Sequence, residues 1–397
     1  MKKSFKILYL DHVTILGGAE HSLLDFLSRL NRQQFKPALL VPQFGPLVNR
    51  AKELGIRTFI LPIDEKILKR QREKISPFSW QFLRDAIHLL PVIKRLKKLI
   101  QSEGFDLLHT NTLKMHLIGG IAAKLVGVPV VWHFRDILKP GFVRSAMTYL
   151  SELIPSRILS VSKAVTQQFN TSDFSPKTQV IYNCLDAEEY RKKAQKKSRE
   201  EILKEFRFPQ NARLVGVVGQ IVYWKGQEFF IRAAAQVQKR FPEVRFLIIG
   251  DVLFWDFAYK ERLQRLVEEL QLQDYVIFAG FWDDSPALMN ALEVVVHTSV
   301  EPEPFGRVLL EAIALGKQLV ATRGGAVEEI VSRENAFLVP PKDVSALSQA
   351  ITQALTEKKI IRGKNSMFNI EESVKRIEEI YREVLNQSTV NRPYRLH

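Results

Sequence analysis

A chain of 397 residues exceeds what one hydrophobic core usually organises, so two domains are expected. With 46% hydrophobic and 25% charged residues it is neither disordered nor fibrous, and its single cysteine, Cys184, excludes an internal disulfide framework and a cysteine-ligated zinc site. The formal charge of +15 is concentrated in residues 1–190, where 27 Lys and Arg face 16 Asp and Glu; that bears on partners rather than on fold.

The opening segment has two lysines before an apolar run, as a signal peptide does. Asp11 and His12 stop that run after six residues, so a first buried strand, Phe5–Leu10, explains it better. Further Val, Ile and Leu-rich runs without clean alternation follow at Pro37–Val41, Thr58–Leu61, Leu107–Thr110, Val128–Trp132, Ile158–Val161 and Val180–Tyr182. Helix-length segments such as Ala19–Leu30, Lys114–Val126 and Phe142–Leu153 separate them, and this alternation predicts a parallel sheet covered on both faces. Residues 191–210 are polar and read as a linker.

Alternation restarts with strands at Leu214–Val218, Phe246–Ile249, Val276–Phe278, Val294–His297, Leu319–Ala321 and Phe337–Val339. Helices are predicted near Gln227–Lys239, Ala258–Leu270, Pro286–Ala291 and Val344–Ala354. A last helix, Glu372–Leu385, places Val374, Ile377, Ile380, Tyr381 and Val384 on one face. The reading is therefore α/β, with residues 1–190 as one Rossmann-like domain, 211–370 as a second and 388–397 as a polar tail. No run reaches the ~18 apolar residues of a membrane span.

The most informative stretch is Glu301 to Ala312, read as strand, loop, helix. Pro302 and Pro304 delay the helix, Gly306 permits close backbone approach, and the amides of Phe305, Gly306, Arg307 and Val308 would sit at a helix N-terminus, where an anion is favoured. Glu303 in the loop and Glu311 in the helix suit a ligand with hydroxyls at its ends and phosphate between; they can equally be surface acids. Gly17-Gly18 follows the first strand without completing a G-x-G-x-x-G pattern, and is either a phosphate approach or a tight turn. Lys225, in the turn from Gly219 to Gly226, can neutralise a departing phosphate or lie solvated. His133 ends a strand, where it is either structural or a donor to a ligand hydroxyl; Arg135 beside it can meet an anionic group. His109 and His116 are less persuasive. Gly324-Gly325 is open between ligand approach and tight turn. There is no Asp-x-Asp for a metal-bound diphosphate and no His pair at metal spacing, so no metal is expected. Residues 66–100 combine Lys66, Lys69, Arg70, Arg72, Lys74, Lys94, Arg95, Lys97 and Lys98 with apolar positions; they form either a solvated helix with a core side or a surface for anionic lipid. No nucleic-acid motif is present, and no nucleic-acid partner is expected.

Assembled in order, Gly17-Gly-Ala-Glu20, Val161-Ser-Lys-Ala164, Asn183-Cys-Leu-Asp186, Gly219 with Lys225-Gly226, Glu303 to Glu311 with Pro-Phe-Gly between, and Gly324-Gly325 with Glu328 resemble family 4 of the glycosyltransferases, nucleotide-sugar enzymes of the GT-B fold. The resemblance covers nearly the whole chain. It implies two Rossmann-like domains facing each other across a cleft, with helix 371–387 crossing back onto the first. Glu311 would bind ribose hydroxyls and Glu303 those of the transferred sugar. The amides around Phe305–Val308, with Gly18, would meet the diphosphate, and Lys225 would stabilise the departing phosphate. His133 would touch the donor sugar, and Gly280-Phe281-Trp282 would hold the base.

The implied reaction is hexose transfer from a nucleoside-diphosphate sugar to a hydroxyl of a glycan or lipid-linked acceptor in surface polysaccharide or glycolipid synthesis. It retains anomeric configuration by front-face substitution, without a protein nucleophile, and needs no cofactor. A cytoplasmic enzyme, peripheral on the inner membrane face, is expected. Two residues depart from the family pattern: Gln220 stands where Arg is usual, removing one phosphate-neutralising charge, and Cys184 replaces a glycine. A catalytically silent nucleotide- or glycan-binding module and a nucleotide-sugar epimerase of the same fold are the alternatives.

Overall fold

The computed structural model describes residues 4–68, 80–169, 177–253, 256–282, 284–361 and 369–390. The chain divides into two compact units, one running to Asn183 and resuming at Ile370, the other spanning Cys184–Asn369.

In the first unit the described strands are β1 (Phe5–Leu10), β2 (Phe35–Val41), β3 (Arg57–Ile60), β4 (Leu107–Thr110), β5 (Val130–Phe134), β6 (Arg157–Ser160) and β7 (Thr178–Val180). All pair in parallel, in the order β3-β2-β1-β4-β5-β6-β7. The connecting helices are α1 (Gly18–Arg29), α2 (Pro46–Glu53), α3 (Glu65–Leu68), α4 (Trp80–Glu103), α5 (Leu113–Val126), α6 (Phe142–Leu153) and α7 (Lys163–Gln167). Strands flanked by helices on both faces must be apolar throughout, and Ile7 to Leu10 and Val130 to Phe134 are buried residue by residue.

The second unit opens with α8 (Ala187–Ala194) and α9 (Arg199–Glu205). Its strands are β8 (Arg213–Val218), β9 (Val244–Ile249), β10 (Val276–Gly280), β11 (Val294–His297), β12 (Gln318–Thr322) and β13 (Phe337–Val339), parallel in the order β10-β9-β8-β11-β12-β13. Helices α10 (Gln227–Gln238), α11 (Phe257–Glu269), α12 (Ser285–Ala291), α13 (Arg307–Ala314), α14 (Val327–Ile330) and α15 (Val344–Thr356) connect them. Val215, Val217, Phe230, Phe246, Ile248, Val294, Val296 and Val320 fill the core. In each sheet the winding reverses beside the unit's first strand, at β1/β4 and at β8/β11, and ligands of open α/β sheets bind at the carboxyl ends of such switch-point strands.

The linker expected at 191–210 is corrected by the structure. Asp186 and Ser198 cap α8 and α9 through their side chains, and Tyr190, Ala194, Ile202 and Leu203 are buried where the two helices pack on α12 and α13. The few apolar residues sit at helical spacing within a charged sequence, so average polarity conceals a docking stripe. The chain passes between units at Asn183–Cys184, ahead of the boundary at 190 read from composition. The final helix, α16 (Ile370–Val390), belongs to the first unit and packs on α1. Its Tyr381 lies edge-on to Phe35 at 5.7 Å, and its Glu378 accepts the Asn31 amide at 2.8 Å. Of the polar tail expected at 388–397, Ser388–Val390 instead form the last turn of α16, and 391–397 lie outside the described residues.

Candidate active site

In the second unit, the exits of β8 and β11 are stitched together. After β8 a 3-10 turn, Tyr223–Lys225, ends at Gly226, whose φ of +68° and contact with the Thr298 carbonyl exclude a side chain. Thr298 Oγ1 donates to the Lys225 carbonyl at 2.7 Å, and the Val300 amide to the Trp224 carbonyl at 2.8 Å. The Lys225 side chain thereby reaches Glu303: Nζ lies 2.7 Å from Oε2. Ser299 Oγ donates to the same oxygen at 2.7 Å, and His297 Nε2 lies 3.1 Å from it. All three bonds converge on Oε2, so Oε1 is the atom on which Glu303 can accept a hydrogen bond from a ligand.

Glu303 is buried, and burial disfavours its charge. Lys225 and His297 outweigh that penalty and hold its carboxyl well below the usual carboxylate range. An ionised, acceptor-only carboxylate places the shared proton on His297 Nε2. Because the folded-state value lies below the ordinary 4.5, the ionised group stabilises the fold above that pH, and the contribution is lost as pH falls beneath it. The melting-temperature gap between wild type and Glu303→Gln should therefore narrow between about pH 5 and about pH 3. A gap unchanged across that range would contradict this electrostatic account.

The backbone of Glu303 is fixed as well. Its carbonyl accepts the Ala326 amide at 2.8 Å, and Gly325 pairs with it in an isolated parallel bridge. The Gly324-Gly325 turn, open between two readings in the sequence, is thus packed against the Glu303 backbone. Beyond Glu303, Phe305 is buried, Gly306 caps α13 at φ +91°, and Val308 lies in its first turn, at the positive end of the helix. Arg307 Nε donates to Glu311 Oε1 at 2.8 Å, so Glu311 carries its own counter-ion.

The remaining residues singled out in this unit line the other strand ends. Gly219 follows β8, and the Gly250 amide donates to the Gly280 carbonyl at 2.9 Å. The Gln220 carbonyl accepts from Gln227 Nε2 at 2.7 Å. Phe281 is exposed, whereas Trp282 stacks on Phe206 at 5.5 Å with Lys197 over its ring at 4.6 Å.

In the first unit, Gly17 caps α1 and donates its amide to Glu20 Oε2 at 2.9 Å. That amide is therefore engaged by the chain itself, and the helix begins at Gly18. Burial raises the carboxyls of both Glu20 and nearby Asp11, and Glu20 adds repulsion at Asp11. His133 is buried on β5. Its Nδ1 lies 3.2 Å from His109 Nε2 and 3.4 Å from Arg135 Nη2, while its Nε2 has no hydrogen-bond partner among the described residues. Arg135 also donates to Asn111 Oδ1 at 3.2 Å and Asn183 Oδ1 at 2.9 Å. Sequence reasoning missed Asn111, His297 and Ser299; His297, at a strand's end like His133, carried a readable signal. His116 bonds Thr110 and stacks on Trp132, a packing role. Among the described residues no group of three or more His, Cys, Asp or Glu is placed to hold a metal ion.

Two family models match the chain in series, Glycosyltransferase Family 4 over residues 16–189 and Glycosyl transferases group 1 over residues 198–372. The chain belongs to the family 4 glycosyltransferases. Its two parallel-sheet units are those of the GT-B fold. Among solved structures, this glycosyltransferase is similar to Anabaena HepE in complex with UDP and glucose: 27% identity, 95% of this chain and 99% of that one covered, TM-score 0.79. It is 24% identical to the Escherichia coli UDP-Gal:alpha-D-GlcNAc-diphosphoundecaprenol alpha-1,3-galactosyltransferase, over 95% of this chain and 96% of that protein. An uncharacterised glycosyltransferase of Methanocaldococcus jannaschii is 26% identical over 78% of this chain and 82% of its own.

Proposed function

We propose that this glycosyltransferase moves a hexose from a nucleoside-diphosphate sugar, with UDP as the nucleotide, to a hydroxyl of a glycan or lipid-linked acceptor in surface polysaccharide or glycolipid synthesis. The observation that carries the reading is Glu303: a buried carboxylate held ionised on one oxygen, with its other oxygen able to accept a sugar hydroxyl. Lys225, fixed beside it, neutralises the phosphate that gains charge as the glycosidic bond breaks. The N-terminal turn of α13, from Phe305 and Gly306 to Arg307 and Val308, faces the diphosphate with its amides, and Glu311 takes the ribose hydroxyls. Gly17 shapes the turn and Gly18 approaches the diphosphate, while Gln220, Gly280 and Trp282 lie toward the nucleotide. His133 donates to a donor-sugar hydroxyl, and Arg135 serves the acceptor side.

Transfer proceeds with retention, the departing phosphate taking the acceptor proton, so that no protein nucleophile is used. The positive charge needed by the diphosphate comes from Lys225 and the helix end rather than a metal. Two relatives support the substrate classes: HepE was solved with UDP-glucose, and the E. coli enzyme's name records a UDP-galactose donor and a diphosphoundecaprenol-linked acceptor.

A thermal-shift panel of UDP, GDP, ADP and their sugar conjugates, with EDTA, tests the donor site, since a ligand of the folded state raises its apparent stability. A UDP-selective shift that is lost in Glu311→Ala is expected, followed by transfer whose product keeps the donor's anomeric configuration. Binding without turnover on any acceptor would move the protein to a silent module; turnover without an acceptor would mark an epimerase.

Attachment to an anionic membrane is part of the same reading. No helix among the described residues is long and apolar enough to cross a membrane. On α4, exposed Ile87 and Leu90 precede exposed Lys94 and Lys98 at helical spacing, and Ile121 and Leu125 are exposed on the adjoining α5. The basic positions expected at 69–74 lie outside the described residues. Co-sedimentation with vesicles containing anionic lipid is expected to fall with salt and with Lys94→Gln and Lys98→Gln together. Equal binding to zwitterionic vesicles would refute an electrostatic attachment.

A further inference from the structure

In the first unit a buried file of polar side chains leads to His133, and the reaction just described leaves three of its members, Tyr9, Tyr381 and His109, without a role. Tyr9 Oη lies 3.0 Å from Tyr381 Oη, and Tyr381 Oη lies 2.6 Å from His109 Nδ1. His109 Nε2 then lies 3.2 Å from His133 Nδ1, which Arg135 Nη2 approaches at 3.4 Å from the other direction. We infer that Tyr381, on the C-terminal helix α16, is a positioning residue that acts through His109 to hold His133 in the tautomer with its proton on Nε2.

Which atoms can donate sets the direction of these bonds. A guanidinium has donors only, so Nδ1 of His133 accepts from Arg135, and the adjacent positive charge disfavours a proton there. Burial and then Arg135 push the His133 imidazole well below its ordinary range, and the same two causes bring His109 down to about 3, so both rings are neutral with one proton each. His133 therefore carries its proton on Nε2. His109 must then donate from its own Nε2, which makes its Nδ1 an acceptor, and the Tyr381 hydroxyl is the donor that meets it. Tyr381 oxygen in turn accepts from Tyr9. The chain of bonds runs in one direction, from Tyr9 to His133, and ends on a buried N–H with no partner among the described residues. Such a donor is costly unless a ligand acceptor meets it.

The inference rests on the reading that His133 contacts the donor sugar, and it deepens it: the recognised group is a sugar oxygen acting as acceptor. Without Tyr381 as donor, His109 is released to protonate Nδ1, its Nε2 becomes a second acceptor facing His133 Nδ1, and the N–H at His133 Nε2 loses its definition. The helix that closes the sequence thereby sets the chemistry of a ring 248 positions earlier, counting from 133 to 381.

Long-range proton–nitrogen NMR on the full chain labelled with 15N-histidine tests this, with His109→Gln and His133→Gln used for assignment. The wild type is expected to show both rings as single Nε2–H tautomers near neutral pH. An Nδ1–H or cationic His133 would overturn the inference, and this measurement needs no mutant to fold. Tyr381→Phe, which keeps the ring, is expected to give mixed tautomers at His109 and to lower kcat/KM by about tenfold. Tyr9→Phe keeps the Tyr381 donation and should keep the tautomers; a role confined to packing would show no difference between the two variants, and that result too would overturn the inference. If the spectra are as expected while His133→Gln transfers sugar at the wild-type rate, the relay stands and the donor-contact reading of His133 falls.

Discussion

Glu303→Gln is expected to lower turnover by about 10²–10³-fold while the protein remains folded. The amide has the shape of the carboxylate, but it removes the charge that fixes Lys225 at 2.7 Å and offers one acceptor oxygen where two are used. If that oxygen keeps Ser299 and Lys225, the position facing the ligand becomes a donor; if it faces the ligand, the NH2 group confronts Lys225 Nζ and Ser299. Either way the sugar hydroxyl and the phosphate charge cannot both be served. Lys225→Met gives the complementary test. It leaves a buried carboxylate without its cation, so it should cost more stability than Glu303→Gln and a similar share of turnover. Steady-state rates with a saturating donor, together with melting temperatures, separate these effects. Near-normal turnover in both variants would remove Glu303 and Lys225 from the chemistry.

Gly325→Ala is expected to damage stability and turnover together. Its φ of +61° is unfavourable for alanine, and the new Cβ would stand 2.1 Å from the Glu303 carbonyl oxygen and 2.5 Å from its nitrogen. Strain of this backbone kind costs on the order of 1–3 kcal/mol. The overlap adds to it, because relieving it breaks the Ala326 to Glu303 hydrogen bond and moves the Glu303 loop; a displacement of about 1 Å at a reacting group can cost about 10²-fold in rate. Gly316→Ala is the control. Its φ of +64° carries a similar backbone penalty, but nothing lies within 4 Å of the added carbon. It should lower the melting temperature modestly and leave turnover near wild type. Equal behaviour of the two variants would mean that the Gly325 contact does not position Glu303.

The parts of this protein that the sequence discloses are those encoded by neighbours along the chain. Buried parallel strands need unbroken Val, Ile and Leu, so Leu107–Thr110 and Val294–His297 are legible to the residue. Glu303 and Lys225 could be singled out because each follows a strand and precedes a helix. What could not be read is contact between distant segments. Tyr381 and His109 are 272 positions apart and meet only because α16 rejoins the first unit. Gly325 reaches Glu303 through the pairing of β11 with β12, and no local pattern announces that approach. The engagement of Gly17 by Glu20 was hidden for another reason: a capping box is recognised by a Ser or Thr at its start, and here a glycine occupies that place. Helices α8 and α9 were obscured by composition, since charged residues surround a narrow apolar stripe.

The return of α16 to the first unit has a consequence for how the protein is made. During synthesis the second unit, Cys184–Asn369, leaves the ribosome whole before the first unit has received its final helix. Until Ile370–Val390 emerges, the surface formed by Phe35, Tyr9 and α1 waits without the residues that bury it. Domains usually fold in the order of their synthesis; here the unit that begins first is completed last. Chains that stall or are cleaved just after Asn369 would carry an intact second unit beside a first unit with exposed apolar surface, the kind of species that chaperones and proteases recognise.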